Sequence, residues 1–162
     1  MINDMRNFIF ICLFVFSFSS AYAAKSDFLN DCFVRAGQSY NISPILLKAI
    51  AIQESNLSSH VVSKMNANGT YDVGIMQINS FHFEKLKKMG ITEDDLINDP
   101  CVNIFVGAYI LAMNIKSNGA TWESVGAYNA GYGKSLTSIL NKEKYARLVF
   151  ESYQKISPKG PQ

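Results

Sequence analysis

A chain of 162 residues fits one domain with room for a real hydrophobic core. With 48% apolar residues and a formal charge of only +2, it is neither disordered nor a nucleic-acid binder by composition. Lys85, Lys87, Lys88 and the C-terminal lysines are too scattered to form a basic stripe, although a mildly basic surface suits an anionic polymer such as cell wall.

The first residues read as an address. Met1 to Asn7 is a short polar start with Arg6, Phe8 to Phe18 is apolar, and Ala21-Tyr22-Ala23 gives a small-x-small cleavage pattern. An apolar run of about 11 residues falls short of the roughly 20 needed to span a bilayer. A signal peptide over 1–23 is therefore expected, with an uncleaved anchor as the alternative, and a mature domain over 24–156 that works outside the cytoplasm. Removing the signal also removes Cys12, leaving Cys32 and Cys101. An even count outside the cytoplasm reads as a disulfide, the alternative being two buried thiols. No metal or other cofactor is expected, since His60 and His82 are isolated and the cysteines lie far apart.

Asp27 or Asn30 caps a first helix running towards Tyr40, with Phe28, Cys32, Ala36 and Tyr40 on one face. Ser43-Pro44 starts a second, apolar nearly all round from Ile45 to Ile52 and so expected to be central, with Glu54 at its far end. Asn68-Gly69 suits a hairpin turn between 61–67 and 70–73, which places Asp72 just beyond it. Helices follow at Phe81 to Met89, stopped by Gly90, and after Thr92, with Asp95 completing a capping box. Asp99-Pro100 opens a helix from Cys101 to Ser117 whose expected buried stripe is Val102, Phe105, Val106, Tyr109, Ile110 and Met113. Thr121 caps a short helix through Tyr128. A last helix is expected from Asn141 to Ile156, with Tyr145, Leu148, Val149, Ser152 and Tyr153 on one side. Residues 157–162 are read as a frayed tail.

Two acids carry the chemical interest. A carboxyl held against aliphatic side chains keeps its proton towards neutral pH, so Glu54 qualifies as a general acid, although most glutamates at helix ends are simply solvated. Asp72 qualifies as a second carboxylate, or as an ordinary turn aspartate. No serine sits in a nucleophile elbow.

The order of three segments narrows the choice. Ala-Ile-Ala-Ile-Gln-Glu-Ser (49–55), Gly-Ile-Met-Gln-Ile-Asn (74–79) and Val-Gly-Ala-Tyr-Asn-Ala-Gly (125–131) together resemble the soluble lytic transglycosylase family, lysozyme-like enzymes that cut the glycan of peptidoglycan. The resemblance implies a mainly α, α+β lysozyme-like fold, with a small β-hairpin forming one wall of a glycan-binding cleft. It implies Glu54 as catalytic acid/base, with Ser55 beside it and Ser63 contacting substrate. Gly74, Ile75, Met76 and Gln77 would line the sugar groove, and Tyr128 and Asn129 would meet substrate near the acid. Ile75 replaces the usual leucine, and Asn79 replaces a frequent Met-Pro continuation. The size, leader and paired cysteines look most like single-domain members that accompany type III secretion, conjugation or pilus systems. The resemblance narrows the location to the periplasm. A component of such a machine is then an expected partner besides the glycan, with the protein itself a monomer. A hydrolytic muramidase using Glu54 with Asp72, or a glycan-binding scaffold without activity, are the alternatives.

Overall fold

A computed structural model of the chain describes residues 26–158, so the expected signal peptide and the final residues of the expected tail lie outside the described residues. Residues 32–158 fall within one compact unit, and the remainder of this description concerns that unit.

Helix α1 is described over residues 26–40; of its part within this unit, residues 32–40, Cys32, Phe33 and Ala36 are buried. Helix α2, Pro44–Ser55, begins as its sequence requires: the Ser43 hydroxyl accepts the Leu46 N–H and proline occupies the first turn. Leu47, Ala49, Ile50 and Ala51 are buried without residue, which makes α2 the expected central helix. It ends in two consecutive left-handed residues, Asn56 and Leu57, whose N–H groups donate back to Ile52 O and Ala51 O.

The β element departs from the expected pairing. The regular ladder joins β1, Asp72–Val73, to β2, Ile78–Asn79, antiparallel across the turn made by 74–77. The hairpin expected around Asn68-Gly69 survives only as a single bridge, Val62 to Val73, with Ser63 N donating to Asp72 O at 2.9 Å. Met65-Asn66-Ala67 is poor strand material, and the 61–71 segment forms no regular ladder: isolated backbone bonds such as Asn66 N to Thr70 O and side-chain bonds such as Asn66 Nδ2 to Asp72 Oδ2 hold it.

After β2, a 3-10 turn at Ser80–His82 leads into α3, Phe83–Lys87, and then α4, Glu93–Asn98, which carries the expected Thr92–Asp95 capping box. Helix α5, Pro100–Asn118, is capped by the Asp99 carboxylate, which accepts the N–H groups of Cys101 and Val102. Its buried face is Asn103, Ile104, Val106, Gly107, Ala108, Leu111 and Asn114. Of the expected stripe only Val106 is buried, because the helix turns its small residues inward to admit close neighbours. A Cβ on Gly107 would lie 2.8–2.9 Å from Met76 atoms.

Helix α6, Trp122–Ala130, follows the Thr121 cap, and α7, Leu136–Ile156, begins five residues earlier than expected behind a Ser135 cap. Leu136 and Leu140 are exposed, so the first turns of α7 show no inward stripe to betray them. α7 packs on both α2 and α6, and α6 packs on α5. The Cys32–Cys101 disulfide ties α1 to the start of α5, with Cα atoms 5.2 Å apart. Among the described residues no helix is long and apolar enough to cross a membrane.

Candidate active site

One cleft of about 770 Å³ gathers residues from the β region, α2, α5 and α6. Glu54, Asp72, Gln77, Tyr128 and Asn129 all line it, so five of the residues singled out in the sequence converge.

Glu54 sits in the last turn of α2, partly open to the cleft. On its inner side the Tyr145 hydroxyl of α7 donates to its Oε1. Burial pushes the Glu54 carboxyl up to about 7; the bond from Tyr145 pulls the other way, and the negative charge of Asp72 adds to the rise. The packing of α7 on α2 holds this arrangement, and a second bond runs beside it, from Gln53 Nε2 to Ser152 Oγ at 2.6 Å.

Asp72 stands in a different setting. Its Oδ1 accepts from Asn79 Nδ2 at 2.8 Å, and its Oδ2 accepts from Asn66 Nδ2 at 3.1 Å and from the Ser63 hydroxyl at 3.4 Å. These donors fix the orientation of the carboxylate. The two acids therefore sit in different settings, Glu54 raised by burial and Asp72 ringed by hydrogen-bond donors, and both face the same cleft.

Tyr128 turns its ring to the cleft, while its buried hydroxyl donates to Met76 O at 2.9 Å. Burial and then the nearby Glu54 and Asp72 charges raise this phenol well above its ordinary value, so it stays a neutral donor. Gln77 adopts a left-handed backbone, φ 48°, and its amide donates to Gly74 O at 2.8 Å. A non-glycine residue in that conformation is held there by its surroundings at some cost.

Five expected substrate contacts lie elsewhere. Ile75 and Met76 are wholly buried and do not line the cleft, nor does Gly74. Gly74 has φ 77°, and a Cβ there would collide with the Asn103 amide and lie 2.6 Å from Leu96 O. The Ser55 hydroxyl donates to Ile75 O at 2.7 Å, fastening the end of α2 to the turn, and Ser63 braces Asp72. These residues build the wall from behind.

Reading the sequence missed several members of the site. Tyr145 was placed on the inner face of α7, and a buried tyrosine needs a partner for its hydroxyl, which was the available signal. Asn103 is wholly buried on α5; its amide donates to Val73 O and Leu96 O, both at 2.9 Å, and accepts Met76 N–H at 2.8 Å. Asn79 joins Asp72, Thr70 and Phe81. Among the described residues no cluster of His, Cys, Asp and Glu side chains could hold a metal ion.

Comparison with known proteins gives the family. The Transglycosylase SLT domain family matches residues 31–150. The chain is 41% identical over 152 residues to Invasion protein IagB of Salmonella typhimurium, across 94% of this chain and 89% of that protein. It is 42% identical over 135 residues to Protein IpgF of Shigella flexneri, covering 82% and 85% of the two chains. X polypeptide of Escherichia coli (strain K12) is 43% identical over 131 residues, 80% of this chain and 77% of that one. With the matched segment enclosing every residue of the cleft, the chain belongs to the transglycosylase SLT domain family.

Proposed function

We propose that this protein is a peptidoglycan lytic transglycosylase that cleaves the β-1,4 bond between N-acetylmuramic acid and N-acetylglucosamine. The observation that carries the reading is Glu54, a cleft carboxyl raised to about 7 by burial and held by Tyr145. In its protonated form Glu54 donates to the glycosidic oxygen as the bond to C1 breaks, assisted by the substrate's own acetamido group. The carboxylate so formed takes the proton of the muramyl C6 hydroxyl, whose oxygen closes on C1. The products are a free 4-hydroxyl and a 1,6-anhydro sugar, and Glu54 ends protonated as it began. One acid suffices for both proton transfers.

Asp72, fixed by three donors, stabilises the positive charge that develops at C1 or orients the sugar that carries it. Its presence on the same cleft also supports a second reading, a hydrolytic muramidase in which Asp72 assists attack by water. Mass spectrometry of the released muropeptides separates them. Anhydro ends are expected; reducing ends would favour the muramidase. Glu54→Gln should release neither, and a Glu54→Gln protein that still clears cell wall would reduce the chain to a glycan-binding scaffold.

Support for the biological setting comes from the similarity to an invasion protein of Salmonella typhimurium and from the disulfide, a bond that persists in oxidising compartments. The reading is a monomeric periplasmic enzyme that opens the wall locally for a secretion, pilus or conjugation apparatus. Fractionation of cells for the processed protein tests the location.

A further inference from the structure

Phe81 has 78% of its surface exposed, more than any other large apolar side chain described, and it lies on the cleft. Exposed apolar side chains scattered singly need no explanation. Of the large apolar side chains exposed among the described residues, however, only Phe81 and Tyr132 line the cleft, and both are aromatic. Tyr132 is half-exposed, and its hydroxyl already donates to Asn114 Oδ1 at 2.5 Å, so what it offers a ligand is its ring.

The position of Phe81 is built rather than incidental. Asn79 caps the 3-10 turn by accepting the Phe81 N–H at 3.0 Å. The same Asn79 side chain donates to Asp72 Oδ1 at 2.8 Å and to Thr70 Oγ1 at 3.0 Å. One amide thus sets the start of the turn bearing Phe81 relative to the Asp72 carboxylate. The His82 ring meets Phe81 in a T-shaped contact, centroids 5.5 Å apart, and with 78% of its surface exposed Phe81 keeps ring area open to a flat partner.

The rest of the cleft describes that partner. Asn66, Asn68, Thr70, Gln77 and Asn129 supply neutral hydrogen-bonding groups, and no lysine or arginine lines it. His82 also lines it, but burial and then the Lys85 charge hold that imidazole below its ordinary value, towards the neutral form. An uncharged ring with one apolar face and a polar rim fits; an N-acetylglucosamine unit has that chemistry.

Resting on the proposed glycan specificity, we infer that Phe81 is a stacking platform for an uncharged N-acetylated pyranose of the strand, placed relative to Asp72 by Asn79. The probe is chitotetraose, an uncharged N-acetylglucosamine oligomer, titrated calorimetrically against the full chain carrying Glu54→Gln so that no turnover interferes. Adding Phe81→Ala should weaken binding about tenfold, the scale of one lost aromatic contact. Phe81→Leu should weaken it nearly as much, since a leucine has no flat face, and Phe81→Trp should restore it. In the active protein, Phe81→Ala should raise KM on glycan strands while kcat changes little. Phe81 is exposed, so these variants keep the fold, and a circular dichroism melt verifies it.

Equal affinity of the Phe81→Ala, Phe81→Leu and parent proteins overturns the inference, as does absent binding of chitotetraose by the parent. The proposed reaction has its own readout in the muropeptides: their release by a Phe81→Ala protein with unchanged KM would sink the platform and leave the enzyme standing.

Discussion

At the scale of single residues, the chemistry rests on how Glu54 holds its proton. An ordinary glutamate near 4.5 is ionised at neutral pH, whereas a carboxyl at about 7 is half protonated there. Turnover should therefore decline as pH climbs past about 7, and the alkaline limb of the pH profile reports this group. Tyr145 stabilises the carboxylate through its hydrogen bond, so Tyr145→Phe should move that limb to higher pH. A limb that stays in place would show that the phenol plays no part in setting the acid. Asp72→Asn keeps the shape of the side chain but removes its charge, and should lower kcat by roughly tenfold or more if the charge stabilises the transition state. Wild-type turnover in that variant would limit Asp72 to bracing the hairpin.

At the scale of elements, the site depends on the β1–β2 turn being pinned to α5. The buried Asn103 does this with two hydrogen bonds, to Val73 O and from Met76 N–H, while a third to Leu96 O ties in α4. Asn103→Ala leaves two carbonyls and one N–H unpaired, and should cost about 2–5 kcal/mol in chemical denaturation. Gly74→Ala should also destabilise strongly, because the new methyl would enter the space of the Asn103 amide at a backbone angle that alanine resists. The local parts of this architecture were legible in the sequence. Ser43-Pro44, Thr92 with Asp95, Asp99-Pro100 and Thr121 all mark helix starts, since a cap is an interaction between residues a few positions apart. The nonlocal parts were not. Asn68-Gly69 advertised a hairpin, yet the ladder formed one turn later, where the buried Ile78 could pair with Val73. The inward face of α5 was misjudged because bulk was taken as the mark of burial, whereas Gly107, Ala108 and Asn103 face inward for fit and hydrogen bonding. For the same reason the motif residues Ile75 and Met76 proved to be core, while Phe81, one of the most exposed, faces the cleft.

At the scale of the whole molecule, two contributions to stability can be tested separately from the apolar core. The first is linkage to Glu54. Its folded value of about 7 lies above the ordinary 4.5, so the protonated carboxyl contributes fully below about 4.5, and that contribution is lost as pH rises through about 7. Glu54→Gln remains neutral throughout. Thermal melts should show it more stable than the parent at pH 8, by up to about 3 kcal/mol, with the difference shrinking towards pH 4. The second is the cross-link, which closes a separation of 69 residues. Replacing Cys32 and Cys101 together with serine should lower the unfolding free energy by about 3–4 kcal/mol in the chain-entropy account, measured by urea titration.

The position of Glu54 along α2 carries one more consequence. The carbonyls of a helix's final turn point outward and sum to about half a negative charge. Glu54 is the penultimate residue of α2, and that last turn contains no basic side chain to offset them. The N–H groups of Asn56 and Leu57 answer two of them, and the field of the remaining carbonyls acts on Glu54 in the same direction as burial and Asp72. Of these three influences, the aligned backbone is the one that no single side-chain replacement removes. A protein that must retain a proton while its cleft-lining residues vary has, in that helix end, a reserve of acidity written into the main chain.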